Sequence, residues 1–161
     1  MYEFLEETVR DNMTLPAKTV APETTVGDLL RLFIIDDVDA YPVESDGRLV
    51  GIVSKADALK AFGLKQGRIL PHYDDMMGTT VEEVMSRHVM TVDAETKLQR
   101  VLQLMEKYGF KSLPVTDAGS RLLGVIARED IIRALARCNR HDTSAQALPL
   151  TVPPIGYYAI A

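Results

Sequence analysis

The sequence predicts an α+β protein built from two β-α-β-β-α repeats that pack face to face. The 161-residue chain repeats itself once, and each copy shows the same succession of strand-like and helix-like apolar patterns. A single copy would expose an apolar sheet face, which a second copy packed against it covers. The apolar content of 47% is sufficient for such a core without disulfides or a structural metal.

The duplication is visible when the chain is compared with itself at a spacing of 72 residues, which becomes 73 after Gly119. The matched segments include GIVSKAD at residues 51–57 and GVIARED at residues 124–130. Further matches are Met13 with Met85, Thr19-Val20 with Thr91-Val92, and Pro42-Val43 with Pro114-Val115. Chance seldom preserves both order and spacing over so long a stretch, so the two copies are expected to share one fold.

Each copy is predicted to start with a short extended segment, Thr19-Val20 or Thr91-Val92, that leads into an amphipathic helix. Thr96 and Gln99 predict a capping box at the start of the second of these helices. The apolar stripes are Val26, Leu29, Leu30, Phe33 and Ile34 in the first copy, and Leu98, Val101, Leu102 and Met105 in the second.

Two strands and a closing helix complete each copy. In the first copy they are predicted at 40–43, 49–53 and 55–62, and in the second at 112–115, 122–126 and 128–138, with a turn between the strands. These elements divide the chain into an N-terminal segment with the first repeat at 1–70, a connection with the second repeat at 71–140, and a tail at 141–161. The apolar, proline-containing tail is predicted to dock on a partner subunit.

Composition and missing motifs exclude several functions. The net charge of −5 argues against nonspecific nucleic-acid binding, which requires a basic surface. The single cysteine, Cys138, indicates a reducing compartment. With neither a signal-peptide pattern nor a membrane-spanning apolar run, the sequence predicts a soluble cytoplasmic protein. It also contains no phosphate loop, nucleophile elbow or HExxH motif, so neither catalytic nor metal-binding residues are expected.

The order of elements, the Met-Thr or Met-Ser pair near each start, the Pro-Val strand and the G-h-h-[ST]-x-x-D ending resemble the CBS-domain family. The resemblance covers about Val9–Phe62 and Val81–Arg137, as a stand-alone tandem pair. It implies that the two repeats pack as a pseudo-two-fold pair. It also implies two clefts between the repeats that bind an adenosine-containing regulatory ligand, AMP, ADP, ATP or S-adenosylmethionine. It also implies a flat homodimer, a role in energy sensing and an unidentified regulated protein.

The resemblance assigns the ribose hydroxyls to the acid that ends each motif, Asp57 and Asp130, and the phosphate to the vicinity of Ser54. Independently, a carboxylate only accepts hydrogen bonds, so it suits two hydroxyl donors. Ser54 and Lys55 are predicted at a helix N-terminus, which attracts phosphate. The resemblance also places the adenine against strand residues, which are Val20, Tyr41, Pro42 and Val53, and Val92, Leu113, Pro114 and Ile126.

The second copy differs at one of these positions. Ala127 stands where the first copy has Ser54, and the following residue, Arg128, is the candidate partner for a phosphate. The two clefts are therefore expected to prefer different nucleotides, or only one of them is occupied. Residues 54–57 also match a plain helix cap, with Ser54 as N-cap and Asp57 as the acid three positions later.

Two other functions remain open from the sequence. One is a protein–protein interaction or scaffold dimer without nucleotide, which Tyr41 or Phe110 filling a cleft would favour. The other is a nucleic-acid-associated module, which would need a continuous basic stripe such as Arg133, Arg137 and Arg140 could begin on the last helix.

Overall fold

The computed structural model describes residues 2–63 and 73–141 of the chain. Two short helices, α1 (Tyr2–Glu6) and α2 (Val9–Asn12), precede the first repeat. The first repeat consists of α3 (Val26–Asp36), β1 (Ala40–Ser45), β2 (Arg48–Ser54) and α4 (Lys55–Lys60). After α5 (Tyr73–Gly78) and α6 (Val81–Val84), the second repeat consists of α7 (Leu98–Tyr108), β3 (Ser112–Thr116), β4 (Leu122–Ala127) and α8 (Arg128–His141).

Each repeat contains an antiparallel hairpin with one extended segment added in parallel. β1 pairs with β2, and Val20 bridges to Val43 on the free side of β1. In the second repeat β3 pairs with β4, and Val92 bridges to Val115. The predicted extended segments and strands are therefore confirmed, as is the α+β fold of two β-α-β-β-α repeats.

The two hairpins meet at their turns through equivalent positions. The Leu49 amide donates to the Ser120 carbonyl at 3.0 Å, and the Leu122 amide donates to the Gly47 carbonyl at 3.1 Å. Since Leu49 and Leu122 are equivalent in the repeat, as are Gly47 and Ser120, this pair of bonds is what a two-fold relation between the copies predicts.

Each repeat is completed by the segment that precedes the other repeat. The Thr14 amide donates to the Val125 carbonyl at 2.8 Å, and Ser86 and Ile52 exchange two backbone hydrogen bonds of 2.9 Å. Val9 is buried in the core of the second repeat. The predicted boundary between residues 70 and 71 divides the sequence into two repeats. In the folded chain, however, segments from each side of this boundary pack against the repeat on the other side. Residues 142–161 of the predicted docking tail lie outside the described residues.

The apolar cores confirm most residues of the predicted helix stripes, but some residues at the edges of the stripes are exposed to solvent. Leu29 and Phe33 are buried in the first core, and Leu98, Val101 and Met105 in the second. Ile34, predicted to face the core, is 82% exposed, and Leu102 is also exposed. In the described ranges no helix has both the length and the apolar character that crossing a bilayer requires.

The predicted capping box of Thr96 and Gln99 is wrong. α7 begins at Leu98 after Lys97, which makes no side-chain cap bond. The Asp93 carboxylate instead accepts hydrogen bonds from the Thr96 hydroxyl at 3.1 Å and the Glu95 amide at 3.0 Å, so the local acid competes successfully for the threonine. The closing helices also differ at their ends, since α4 stops before Phe62 and α8 continues past Cys138.

Candidate functional site: two clefts between the repeats

Two cavities lie between the repeats, and each is lined by both copies. The first cleft has a volume of about 610 Å³ and is lined by Ile52 and residues 54–57 of the first repeat, and by Ser86, residues 88–90 and residues 109–114. The second cleft, of about 260 Å³, is lined by Thr14, residues 16–18 and 37–42, together with Val125, Ala127 and Glu129. The linings correspond through the internal repeat, as Ile52 and Val125 illustrate.

The clefts share a wall that carries an ion pair. Asp39 and Lys111 line both cavities, and the Lys111 ammonium lies 2.8 Å from a carboxylate oxygen of Asp39. These residues occupy equivalent positions of the two repeats, so the pair joins the copies across the pseudo-two-fold axis. Both side chains are about half exposed, so either group can turn toward a bound ligand.

Asp57 forms a capping box at the start of α4 and also lines the first cleft. Its carboxylate accepts hydrogen bonds from the Ser54 amide at 3.0 Å, the Ser54 hydroxyl at 2.6 Å and the Lys60 ammonium at 2.9 Å. The helix-cap interpretation of residues 54–57 is therefore confirmed. A carboxylate offers about four acceptor directions, and the Lys60 side chain is largely exposed. The cap thus leaves Asp57 able to accept further donors from the cleft.

The pKa of Asp57 is lowered in the folded protein. Burial alone would raise the pKa, but the hydrogen bonds from the Ser54 hydroxyl, the Lys60 ammonium and the Ser54 amide outweigh that effect. A carboxyl group with a lowered folded pKa stabilises the fold above its unfolded pKa, and this stabilisation is lost as pH falls through the folded pKa.

We predict that this contribution disappears on acidification. The free energy of unfolding of wild type should exceed that of Asp57→Asn by a constant amount at neutral pH, and the difference should shrink as pH falls below the ordinary value of 3.8. Urea denaturation at a series of pH values measures it. A difference that stays constant down to the acid limit would contradict the assigned hydrogen bonds.

Asp130, the equivalent acid of the second copy, is 2% exposed and does not line the second cleft. Its carboxylate accepts hydrogen bonds from the Ala127 amide at 2.7 Å and the Thr14 hydroxyl at 3.5 Å, and it pairs with Arg133. The acid therefore caps α8 without a serine partner and holds the exchanged N-terminal segment. In this arrangement its oxygens are directed at the protein, so ribose binding at Asp130 would require Thr14 or Arg133 to leave.

The strand residues predicted to contact adenine fall into two groups. Leu113 and Pro114 line the first cleft, whereas Tyr41 and Pro42 line the second. Each cleft therefore combines the closing-helix motif of one repeat with the strand of the other. The remaining predicted residues are buried in the two cores and line neither cleft; they are Val20, Val53, Val92 and Ile126.

Arg128, the predicted phosphate partner, does not line the second cleft, because its Nε donates to the Phe110 carbonyl at 3.1 Å. Tyr41 also faces inward, since its hydroxyl donates to the Asp36 carboxylate at 2.6 Å and lies 3.0 Å from the Leu32 carbonyl oxygen. Burial, together with the hydrogen bond to Asp36, raises the pKa of Tyr41. Of the residues predicted from the sequence, Ser54, Lys55 and Asp57 line one cavity. The sequence analysis overlooked several other lining residues, which include Ser86, His88, Lys111, Lys18 and Glu129.

The chain matches known sequences over most of its described length. The sequence model of the CBS domain matches residues 7–64 and 81–137. MJ1225 of Methanocaldococcus jannaschii is 27% identical over 137 residues, which cover 81% of this chain and 48% of that protein. The L-aspartate semialdehyde sulfurtransferase of that organism is 29% identical over 126 residues, which cover 78% of this chain and 22% of the enzyme. The chain spans less than half the length of these two relatives.

Solved structures show the same fold. CBSX2 in complex with AMP is 31% identical with a TM-score of 0.71, over 83% of this chain and 98% of that one; CBSX2 is a CBS-pair protein from Arabidopsis thaliana. The CBS domain pair of MJ0100, solved with 5′-methylthioadenosine and S-adenosyl-L-methionine, is 26% identical with a TM-score of 0.66, over 82% of this chain and 98% of that one. With both repeats matched, the chain belongs to the CBS-domain family as a tandem pair of CBS domains.

Proposed function

We propose that this chain is a regulatory module that binds an adenosine-containing ligand, of the AMP, ADP, ATP or S-adenosylmethionine class, in the first cleft. The observation that carries the proposal is that one cavity brings together the Asp57 carboxylate, the ammonium groups of Lys55 and Lys111, and an apolar wall at Leu113 and Pro114. The volume of about 610 Å³ lies in the range of small-molecule sites. The ligands of CBSX2 and MJ0100 share the adenosine group.

The ribose is assigned to Asp57. Its Lys60 contact involves an exposed ammonium, which can return to water when the hydroxyls of a ribose replace it. A hydrogen bond to a charged acceptor is worth roughly 1.5 to 3 kcal/mol, and the part-buried position of Asp57 limits screening by solvent. The cap bonds from Ser54 hold the carboxylate in place, so the acceptor is already oriented before the ligand arrives.

The phosphate is assigned to the cationic side of the first cleft. Lys111 pairs with Asp39 at 2.8 Å and Lys55 lies 3.8 Å from Asp37, and both lysine side chains are partly exposed. A phosphate offers them a more highly charged partner, and the hydroxyls of Ser54 and Ser86 line the same cavity. The base is left with an apolar wall, to which Leu113, Pro114, Phe110, Val89 and Ile52 contribute.

An open cavity favours ligand binding over a scaffold with filled clefts. Phe110 lines the first cleft and Tyr41 the second, yet spaces of about 610 and 260 Å³ remain beside them. A nucleic-acid role finds less support, because Arg133 pairs with Asp130, and Arg137 contacts Asn12 and lies 3.6 Å from Glu7. In the described residues these two arginines therefore serve local ion pairs.

We also propose that the chain forms a homodimer through its helices. Exposed apolar side chains lie on α3, α4 and α8, and they include Ile34, Ile35, Leu59, Ile132 and Leu135. Association would remove this surface from water. A ligand would then regulate a partner protein only by binding two arrangements of the dimer with unequal affinity. Sedimentation equilibrium tests the proposal, and a monomer at micromolar concentration would contradict it.

Calorimetric titration with AMP, ADP, ATP and S-adenosylmethionine tests the ligand-binding proposal. We expect wild type to bind at least one of them, and Asp57→Ala to weaken that binding at least about tenfold, because a charge-assisted hydrogen bond to the ribose is lost. At a ligand concentration 100 times Kd, wild type should gain about 2.7 kcal/mol of stability. Folded protein that gives no heat with any of the four compounds would refute the proposal.

Asp130→Ala is the matched control in the second repeat. Because Asp130 is buried and does not line the first cleft, we expect this change to lower the free energy of unfolding by roughly 1 to 3 kcal/mol, as the Ala127 amide loses its acceptor. Binding in the first cleft should be much less affected than by Asp57→Ala. Equal losses of affinity in the two variants would contradict the assignment of the ribose to Asp57.

A further inference from the structure

We propose that Glu129 makes the second cleft select against phosphate, so that this cleft accepts an uncharged or cationic nucleoside compound and rejects a nucleotide. The inference rests on the proposed function, since it assumes that the clefts bind adenosine-type ligands. It concerns the second cleft, for which the difference between Ser54 and Ala127 leaves the preferred ligand open.

The two clefts differ in the charge that remains after their internal pairs are considered. Asp39 and Lys111 line both clefts and neutralise each other. Lys18, a cation of the second cleft, is already held by Asp36 at 2.6 Å, and Asp37, which also lines this cleft, lies 3.8 Å from the Lys55 ammonium. Glu129 lines the second cleft and, within residues 2–63 and 73–141, has no ion-pair partner within 4.0 Å. The second cleft therefore presents an unneutralised carboxylate to its ligand.

The corresponding positions of the first cleft carry no such charge. Ala56 is equivalent to Glu129 and lines the first cleft with a methyl group, and Ser54 is equivalent to Ala127 and adds a hydroxyl. The two differences act in the same direction, because the second cleft gains an anion and loses a hydrogen-bond donor. Arg128 does not compensate, since it is bonded to the Phe110 carbonyl outside the second cleft.

Electrostatics and size both disfavour a nucleotide in the second cleft. Two like unit charges 4 Å apart in water repel enough to weaken binding about fivefold, and less screening increases the effect. A sulfonium or ammonium group would be attracted by the same carboxylate. The cavity of about 260 Å³ is also less than half the volume of the first cleft, at about 610 Å³, so a ligand without phosphates fits it better.

AMP and adenosine test the proposal, because they differ only in the phosphate. Titrations of ¹⁵N-labelled protein give a dissociation constant for each cleft from the amide signals of Ser54 and Ala127, which are equivalent reporters. In wild type, we expect the preference for AMP over adenosine to be at least fivefold greater at Ser54 than at Ala127. Glu129→Ala should raise that preference at Ala127 at least fivefold.

The internal repeat supplies the matched variant. Ala56→Glu places the carboxylate at the equivalent position of the first cleft, and it should lower the preference for AMP over adenosine at Ser54 at least fivefold. Both substituted side chains are exposed, so we expect the two variants to fold, and thermal unfolding checks this.

The outcomes separate this inference from the proposed function. Equal AMP preference at the two reporters in wild type, or an unchanged preference after Glu129→Ala, would overturn the role of Glu129 while leaving nucleotide binding in the first cleft intact. A folded protein in which neither compound shifts either reporter would overturn this inference, and it would also refute the proposed function if ADP, ATP and S-adenosylmethionine gave no binding heat either.

Discussion

Replacing Gly124 with alanine is expected to lower the free energy of unfolding by roughly 2 to 3 kcal/mol, because the added methyl group overpacks a tight contact. A Cβ at this position would lie 2.7 Å from the Thr14 carbonyl oxygen and 2.8 Å from a methyl carbon of Leu15. Because the nearest atom belongs to the backbone, the N-terminal segment that contains Thr14 and Leu15 would have to move away from β4. That movement weakens the two hydrogen bonds between Thr14 and Val125, which measure 2.8 and 3.3 Å.

Gly78→Ala is the matched control, since a Cβ at Gly78 meets no atom within 4 Å and its backbone is helical. We expect it to be neutral or slightly stabilising, because alanine restricts the unfolded chain. Gly51→Ala, at the position equivalent to Gly124 in the first repeat, should lower the free energy of unfolding by an intermediate amount, because the nearest contact of the added Cβ is the flexible side chain of Met85. Urea denaturation of the three variants gives the ranking. Equal stability of Gly124→Ala and Gly78→Ala would show that the segment does not cross β4 as described.

Leu98→Ala is expected to cost roughly 2 to 5 kcal/mol of unfolding free energy, the range for a truncated buried leucine. Leu98 is fully buried at the start of α7, in the cluster that also contains Phe4 and Val9. Its amide donates to the Glu7 carbonyl at 3.0 Å, so the same residue joins α7 to the N-terminal segment by packing and by a backbone bond. The cavity left by the leucine would open between these two parts of the second repeat.

Ile34→Ala is the control for Leu98→Ala, because both residues belong to the apolar stripes predicted from the sequence and Ile34 is 82% exposed. We expect a change within about 0.5 kcal/mol in the monomer, measured in the same urea titration. A larger loss that grows with protein concentration would instead indicate that α3 is covered in the proposed homodimer. A negligible loss in Leu98→Ala would contradict the burial of its side chain.

The repeat made most of the fold predictable from sequence, and the reasons are physical. Equivalent strands occur at a fixed spacing, and Ser54 and Asp57 have the spacing of a capping box, which is determined by local geometry. That each cleft combines the closing-helix motif of one repeat with the strand of the other could not be foreseen in this way. Tyr41 and Asp57 lie close in the chain, but the pseudo-two-fold relation places Tyr41 beside the second cleft.

The accessibility of Asp57 and of Asp130 also depends on tertiary packing, which local sequence patterns do not encode. Asp57 and Asp130 are identical in motif position, yet Thr14 and Arg133 cover Asp130 whereas Asp57 remains partly accessible. The signal for this difference lies in the N-terminal segment, more than a hundred residues from Asp130 in sequence. Thr14 and Ser86 occupy equivalent positions of the two segments that cross to the other repeat. Extending the comparison of the repeats to these segments would have indicated the lining residues Ser86 and His88, which the motifs alone did not.

The central claim is that the first cleft, built by both repeats, holds an adenosine-containing ligand. The crystal structure of the protein grown with saturating AMP tests it most directly. We expect electron density for AMP with its ribose at Asp57, its phosphate near Lys55 and Lys111, and its base against Leu113 and Pro114. AMP bound away from these residues, or a first cleft that stays empty in crystals grown with AMP, ADP, ATP and S-adenosylmethionine, each at saturation, would contradict the claim.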